Sequence, residues 1–214
     1  MSTDLHELEY QHKLLERLCS YLTKRFSCDT AILYGSRARG DWDPTSDIDV
    51  IAFGEVRETG HIAHRWENLF LDLFLYPTAT KPEQAWLRIH DGQVLFQRDC
   101  EGDKILGAVR DMFLSGPERM SLNDMQTTRL WLEKMLARAG KGDVEGDYRR
   151  HWLLKEVLEV YFLLRGKWYL GPKKSLTLLC GQHPEHFEVF RKAFAPGASI
   201  GDIQAAVAIA NGPD

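Results

Sequence analysis

No apolar stretch in these 214 residues is long enough to cross a bilayer. No basic block stands out either, and the formal net charge is -4, so a protein riding on nucleic-acid phosphates is disfavoured. The four cysteines, Cys19, Cys28, Cys100 and Cys180, are scattered with no CxxC pair among them; four allow a disulfide framework in principle, but nothing else here looks secreted. The opening MSTDLHELEYQHKLLERL mixes acids and bases among its leucines. It lacks the basic start, continuous apolar run and small-residue cleavage site of a secretory signal. Reduced thiols in a cytoplasm are therefore expected. Internal repeats and low-complexity tracts are also missing.

What is present is ordinary globular material. Apolar residues make up 44% and charged residues 27%, enough to build a core in one large domain or two small ones. Leu5, Leu8, Leu15, Leu18 and Leu22 merge into one face and predict a helix over residues 4–25. Thr30 to Tyr34 is a β-rich run closed by Gly35, and Asp47 to Phe53 reads as a second strand. Between them, SRARGDWDPTSD has turn chemistry, with room for a short helix beginning near Ser36. His61 to Trp66 reads as weakly helical. Asn68 to Tyr76 reads as a strand, apolar on both faces apart from Asp72 and therefore expected to be central and covered on both sides.

Beyond Pro77 the pattern turns helical. A helix is expected near Pro82 to Ile89, and QVLFQRD reads as one more short strand. After Asp103 strand signals disappear. A helix carrying Leu130, Leu132, Met135 and Leu136 is followed by the break GKGDVEGD and an apolar helix over residues 148–165. GKWYLGPKK is a loop, and two further helices are expected to complete the chain. The fold class is α/β, with domains over residues 1–116 and 117–214.

The informative string is Gly35-Ser36, ten residues, then Asp47-Ile48-Asp49. A glycine ending a strand lets backbone amides approach a phosphate with no Cβ in the way. The Ser36 hydroxyl adds a donor, and the amides of a following helix complete an anion nest. Two aspartates one residue apart on a strand point to the same side, close enough to grip a divalent cation through oxygen ligands. Asp72 is a lone charge in an apolar strand, where burial without a partner costs several kcal/mol, roughly. Such an acid needs a metal or a cation such as Arg37, Arg39 or Arg65. An acidic surface loop accounts for Asp41 and Asp43, which stay outside the candidate site, but not for Asp72.

These residues resemble the polymerase-beta-like nucleotidyltransferase superfamily, whose signature is a Gly-Ser pair, an Asp-x-Asp and a later acid on a neighbouring strand. GSRARGDWDPTSDIDV is similar to the minimal bacterial branch that includes antibiotic adenylyltransferases, and the likeness is specific over residues 30–76. It implies a small mixed β-sheet core with flanking helices, followed by an all-α helical bundle domain. It implies Asp47 and Asp49 holding Mg²⁺ against the triphosphate of ATP or another NTP, with Gly35 and Ser36 on the outer phosphates. It implies Asp72 as a further metal ligand or proton acceptor. The stretch LLKEVLEVYFLLRGKWYLGPKKSL is similar to one in streptomycin-type adenylyltransferases, which would put Lys173, with Lys174 beside it, on the triphosphate.

The activity so implied is transfer of a nucleoside monophosphate, AMP first, to the hydroxyl of a small acceptor, aminoglycoside-like by analogy, with release of pyrophosphate. Two alternatives stand beside it. One is an antitoxin-type enzyme that modifies a helical HEPN-type protein; the other is a nucleotide-binding module with lapsed catalysis. No membrane partner is expected, and a homodimer or a protein acceptor stays open. Glu156 and Glu159 read as solvated helix glutamates. The HxxH pairs His61/His64 and His183/His186 read as surface histidines, because no cysteine or acid is expected to complete a zinc set. The aromatic stretch Tyr148, Trp152, Tyr161, Trp168 and Tyr169 reads mainly as packing.

Overall fold

A computed structural model describes residues 5–57 and 59–212. The chain divides into two compact units, Met1–Leu114 and Ser115–Asp214. The first is a mixed five-stranded sheet with flanking helices; the second is wholly helical.

The first unit opens with helix α1, Leu5–Phe26, whose Leu14, Leu18 and Leu22 are buried along one stripe. Residue 4, the expected helix start, lies outside the described residues. Strand β1, Cys28–Tyr34, runs into the one-and-a-half-turn helix α2, Gly35–Arg39. Strands β2, Ile48–Gly54, β3, Gly60–Trp66, and β4, Leu69–Pro77, follow. A 3-10 helix, Gln84–Ile89, and strand β5, Gln93–Phe96, lead into α3, Glu101–Ser115. The sheet order is β3-β4-β2-β1-β5, with β2 and β4 parallel and the other neighbours antiparallel.

Period-two patterning decides which side of the sheet is sealed. Leu33, Val50, Ala52, Leu71, Leu73 and Leu75 share one core with the α1 leucines. On the other side Ile32, Ile51 and Phe53 form a second core with Trp86, Ile89, Ile105, Leu106 and Val109 from the 3-10 helix and α3. Asp49 and Asp72 alternate with the first set and so belong to the second side.

Two expectations are corrected in this unit. His61 to Trp66 is a strand, not a helix. Its residues alternate between half-buried Ile62, His64 and Trp66 and exposed His61, Ala63 and Arg65. Glu67 and Asn68 close it onto β4 as a two-residue hairpin turn with φ 47° and 68°. Arg17 of α1 pins that turn, donating two hydrogen bonds to Glu67 at 2.9 Å and one at 2.7 Å. The strand carrying Asp72 is interior but not covered on both sides. Leu69, Leu71, Leu73 and Leu75 are buried, whereas Asp72, Phe74 and Tyr76 are half-buried and Phe70 is exposed.

The second unit contains α4, Leu122–Ala139, α5, Val144–Leu164, α6, Pro172–Gln182, α7, Pro184–Ala193, and α8, Ile200–Asn211. Three helices follow α5 rather than two, because His183-Pro184 breaks the segment into α6 and α7. Side-chain caps start three of the five. Ser121 accepts from Asp124 N–H, Asp143 from Gly146 N–H, and Ser199 forms a reciprocal box with Asp202. Leu153, Val157, Tyr161, Phe190, Ile203 and Val207 are among the residues of its single core. No helix among the described residues is long and apolar enough to cross a membrane.

Candidate active site

The site is built on the end of β1 and the start of β2. Tyr34 is extended, and the chain then turns through Gly35 at φ 73° into α2. A Cβ on Gly35 would lie 2.0 Å from Asp49 Oδ2 and 2.9 Å from its Cγ. Only glycine supplies both that backbone conformation and that space. Its smallness is what lets the turn close against the aspartate. Ser36 follows in the first turn of α2, and its carbonyl accepts from the amides of Gly40 and Asp41.

Asp49 is the second residue of β2, paired with Tyr34 of β1 on one side and with Asp72 of β4 on the other. In a parallel pair at equal register, Asp49 and Asp72 present their carboxylates on the same side of the sheet. Asp47 is exposed and stands immediately before β2. The crowding has an electrostatic signature. Burial, then Asp72 and Asp47, push the Asp49 carboxyl up to about 6, against the opposing pull of Arg39 and Arg88.

Asp72 differs from the expectation of a buried charge. Its side chain keeps 28% of its exposure and meets the imidazole Nε2 of His61 on β3, so neither a large desolvation cost nor an arginine partner applies. The His61 ring stacks on Phe74, with centroids 4.4 Å apart and planes 13° apart. Arg37, Arg39 and Arg65 are not its partner in this structure. Arg37, 4% exposed, instead grips the loop ahead of the acid pair. Its Nε donates to the carbonyls of Ser46 and Asp47 at 3.1 Å, Nη2 to Ser46 at 2.8 Å, and Nη1 to Gln11 Oε1 at 2.5 Å. Arg39 pairs with Asp41 at 3.1 Å and Asp91 at 3.7 Å. Asp43 accepts from the amide and hydroxyl of Thr45, holding the same loop. Arg88 lies with its guanidinium 3.8 Å from the Phe74 ring centroid and 5.8 Å from that of Tyr34.

Residues 13–87 match the family model described as a nucleotidyltransferase domain, a span that includes Gly35, Ser36, Asp47, Asp49 and Asp72. The first unit carries a nucleotidyltransferase domain. Among solved structures, the chain is similar to a nucleotidyltransferase-like protein from Exiguobacterium sibiricum 255-15. The identity is 12% and the TM-score 0.42, covering 94% of this chain and 73% of that one. No curated protein matches the chain.

Within the nucleotidyltransferase domain, the structure thus brings Gly35, Asp49 and Asp72 together, with Asp47 at their edge. Lys173 lies in the other unit, exposed in the first turn of α6, where its carbonyl accepts from the Thr177 hydroxyl at 2.9 Å. Three residues around the acids escape a reading of motifs. Arg37 and Arg88 act through buried or ring-stacked positions that have no local sequence signature. His61 was findable, since the alternation in HIAHRW places it on the Asp72 side once that stretch is read as a strand. The second HxxH pair has an acid beside it that its spacing does not reveal: His183, Glu185 and His186 bring one ligand atom each within 4.8 Å of the others.

Proposed function

We propose that this chain transfers a nucleoside monophosphate, from ATP in the first instance, to a hydroxyl group of a small-molecule acceptor. The nucleotidyltransferase domain carries the coarse activity. The observation that supports the finer reading is Asp49 in register with Asp72, closed on by Gly35.

The donor set suits a hard divalent cation of the Mg²⁺ class. Asp47, Asp49 and Asp72 supply only carboxylate oxygens, and Asp49 sits in a crowd of like charge that raises its proton affinity. Asp47 and Asp49 would hold the ion, with Asp72 available to it or to a second one. Bound there, the cation would neutralise charge on the triphosphate and on the developing transition state.

The chain's own groups supply positioning. Gly35 and Ser36 receive the outer phosphates at the strand-to-helix turn. Arg37 fixes the carbonyls of Ser46 and Asp47, and hence the backbone from which Asp47 and Asp49 project. His61, backed by Phe74, orients Asp72. The acceptor hydroxyl loses its proton to Asp72 as its oxygen bonds to the α-phosphorus. The bond from that phosphorus to the bridging oxygen breaks in line, and pyrophosphate leaves. Lys173 is assigned to the triphosphate on the strength of the Pro-Lys resemblance alone.

The test is pyrophosphate release with Mg²⁺, each of the four NTPs, and a panel of hydroxyl-bearing acceptors that includes aminoglycosides. Acceptor-dependent release is expected, falling at least about a hundredfold in Asp49→Asn. Binding of NTP with no transfer to any acceptor would favour a lapsed nucleotide-binding module. Label on a helical protein instead of a small molecule would favour the protein-modifying alternative.

A further inference from the structure

We infer that His183, Glu185 and His186, at the junction of α6 and α7, form a binding site for a transition-metal ion of the Zn²⁺ class. The inference is independent of the nucleotidyl-transfer chemistry. It rests on three features of the second unit.

The first is the donor set. One ligand atom from each of the three residues lies within 4.8 Å of the others, giving two imidazole nitrogens and one carboxylate oxygen. Two nitrogens and an oxygen select Zn²⁺, Ni²⁺, Co²⁺ or Cu²⁺ rather than Mg²⁺, which prefers an all-oxygen set. The two candidate cation sites of this chain therefore differ in chemistry as well as in place.

The second is the backbone beneath the ligands. His183 ends α6 and precedes Pro184, the first residue of α7. Its amide donates to the Leu179 carbonyl at 2.8 Å, and its carbonyl accepts from the Phe187 amide at 3.0 Å. Glu185 and His186 follow within the first turn of α7, so all three ligands stand on backbone held by hydrogen bonds from both helices. The backbone beneath the ligands is thus ordered before any ion binds, and what remains for the ion to order is the side chains. The two rings already lie nearly parallel, 17° apart in plane with centroids separated by 5.4 Å.

The third is the support behind the metal-facing ring. The hydroxyl of Tyr161, a residue only 1% exposed, lies 2.8 Å from His186 Nδ1. In the tautomer whose Nδ1–H donates to that oxygen, Nε2 carries the lone pair that a metal takes. This is the outer hydrogen bond that fixes ring orientation around ligating histidines. Tyr161 is itself wedged edge-on against Phe162 and Phe190, with Arg165 over its face at 3.8 Å. Glu185 is exposed and the histidines half-buried, so the ion has a route from solvent.

The test is calorimetric titration of the metal-stripped full chain with Zn²⁺, paired with the visible spectrum of the Co²⁺-loaded chain. One Zn²⁺ per chain is expected at this site. His183→Ala and His186→Gln should each weaken it more than about tenfold, and Tyr161→Phe about tenfold. The histidine variants should keep the far-ultraviolet circular dichroism of the wild type. Asp49→Asn and Cys180→Ser should leave the affinity unchanged, which separates this site from the aspartates and from the nearby thiol. The Co²⁺ spectrum should lack thiolate charge-transfer bands. Absence of Zn²⁺ binding, unaltered binding in both histidine variants, or loss in Cys180→Ser or Asp49→Asn would overturn the proposal.

Discussion

The two sides of one strand, β4, have been given opposite tasks. Leu69, Leu71, Leu73 and Leu75 are buried and join the α1 leucines in a continuous core. Phe70, Asp72, Phe74 and Tyr76, one residue out of phase, are half-buried or exposed and share their side of the sheet with Asp49. Stability is made on the first side and given up on the second. Because side chains alternate strictly, a single strand can carry a hydrocarbon-only face and a face crowded with like charge. The second is tolerable because the first supports it.

Substitutions on either side should separate these tasks, and the largest effect belongs to the sealed face. Leu71→Ala, at a fully buried position, should cost about 2–5 kcal/mol by urea unfolding, seen as a lower midpoint at unchanged slope. A cost below about 1 kcal/mol would mean that the sealed face is not the source of stability.

The charged face should respond with the opposite sign. The Asp49 carboxyl is raised to about 6 in the folded chain, so the fold favours its protonated form. The penalty for ionising it is absent below the unfolded carboxylate range and complete above about pH 6. Stability of the metal-free chain should therefore fall as pH rises between about 4 and about 6. Asp49→Asn should flatten that dependence and stabilise the neutral-pH protein by about 2 kcal/mol while abolishing transfer. A destabilised Asp49→Asn chain would show that the carboxylate is instead satisfied by its neighbours. The smallest effect should come from Phe70, 46% exposed and adjacent in sequence to Leu71. Phe70→Ala should lower the unfolding free energy measured in urea by less than about 1 kcal/mol.

The sequence carried the main lines of this picture because the relevant signals are local. Leucine spacing marks α1, and the runs TAILY and DIDVIAF mark β1 and β2 with Asp47 and Asp49 at the entrance of the latter. β3 was illegible because its half-buried face carries His64 and Trp66 beside Ile62, and because its turn uses a glutamate in the left-handed region. Missing β3 also hid the partner of Asp72, since His61 reaches it only across a paired strand. The depth of Asp72 escapes the sequence for a related reason. An apolar strand implies cover on both faces only when a layer lies over each, and here the cover at Asp72 is partial. The division of α6 from α7 turns on one His-Pro step, which also assembles the histidine–glutamate cluster.

The measurement that bears most directly on the central claim is a double-mutant cycle on Mn²⁺ binding, with Mn²⁺ standing in for Mg²⁺, followed by electron paramagnetic resonance. Wild type, Asp49→Asn, Asp72→Asn and the double variant would be compared in the presence of a non-hydrolysable ATP analogue. If both carboxylates serve one cation cluster, each single change weakens binding and the double loses less than the sum of the two. Strictly additive losses, or an Asp72→Asn chain that binds Mn²⁺ as wild type does, would contradict a shared site.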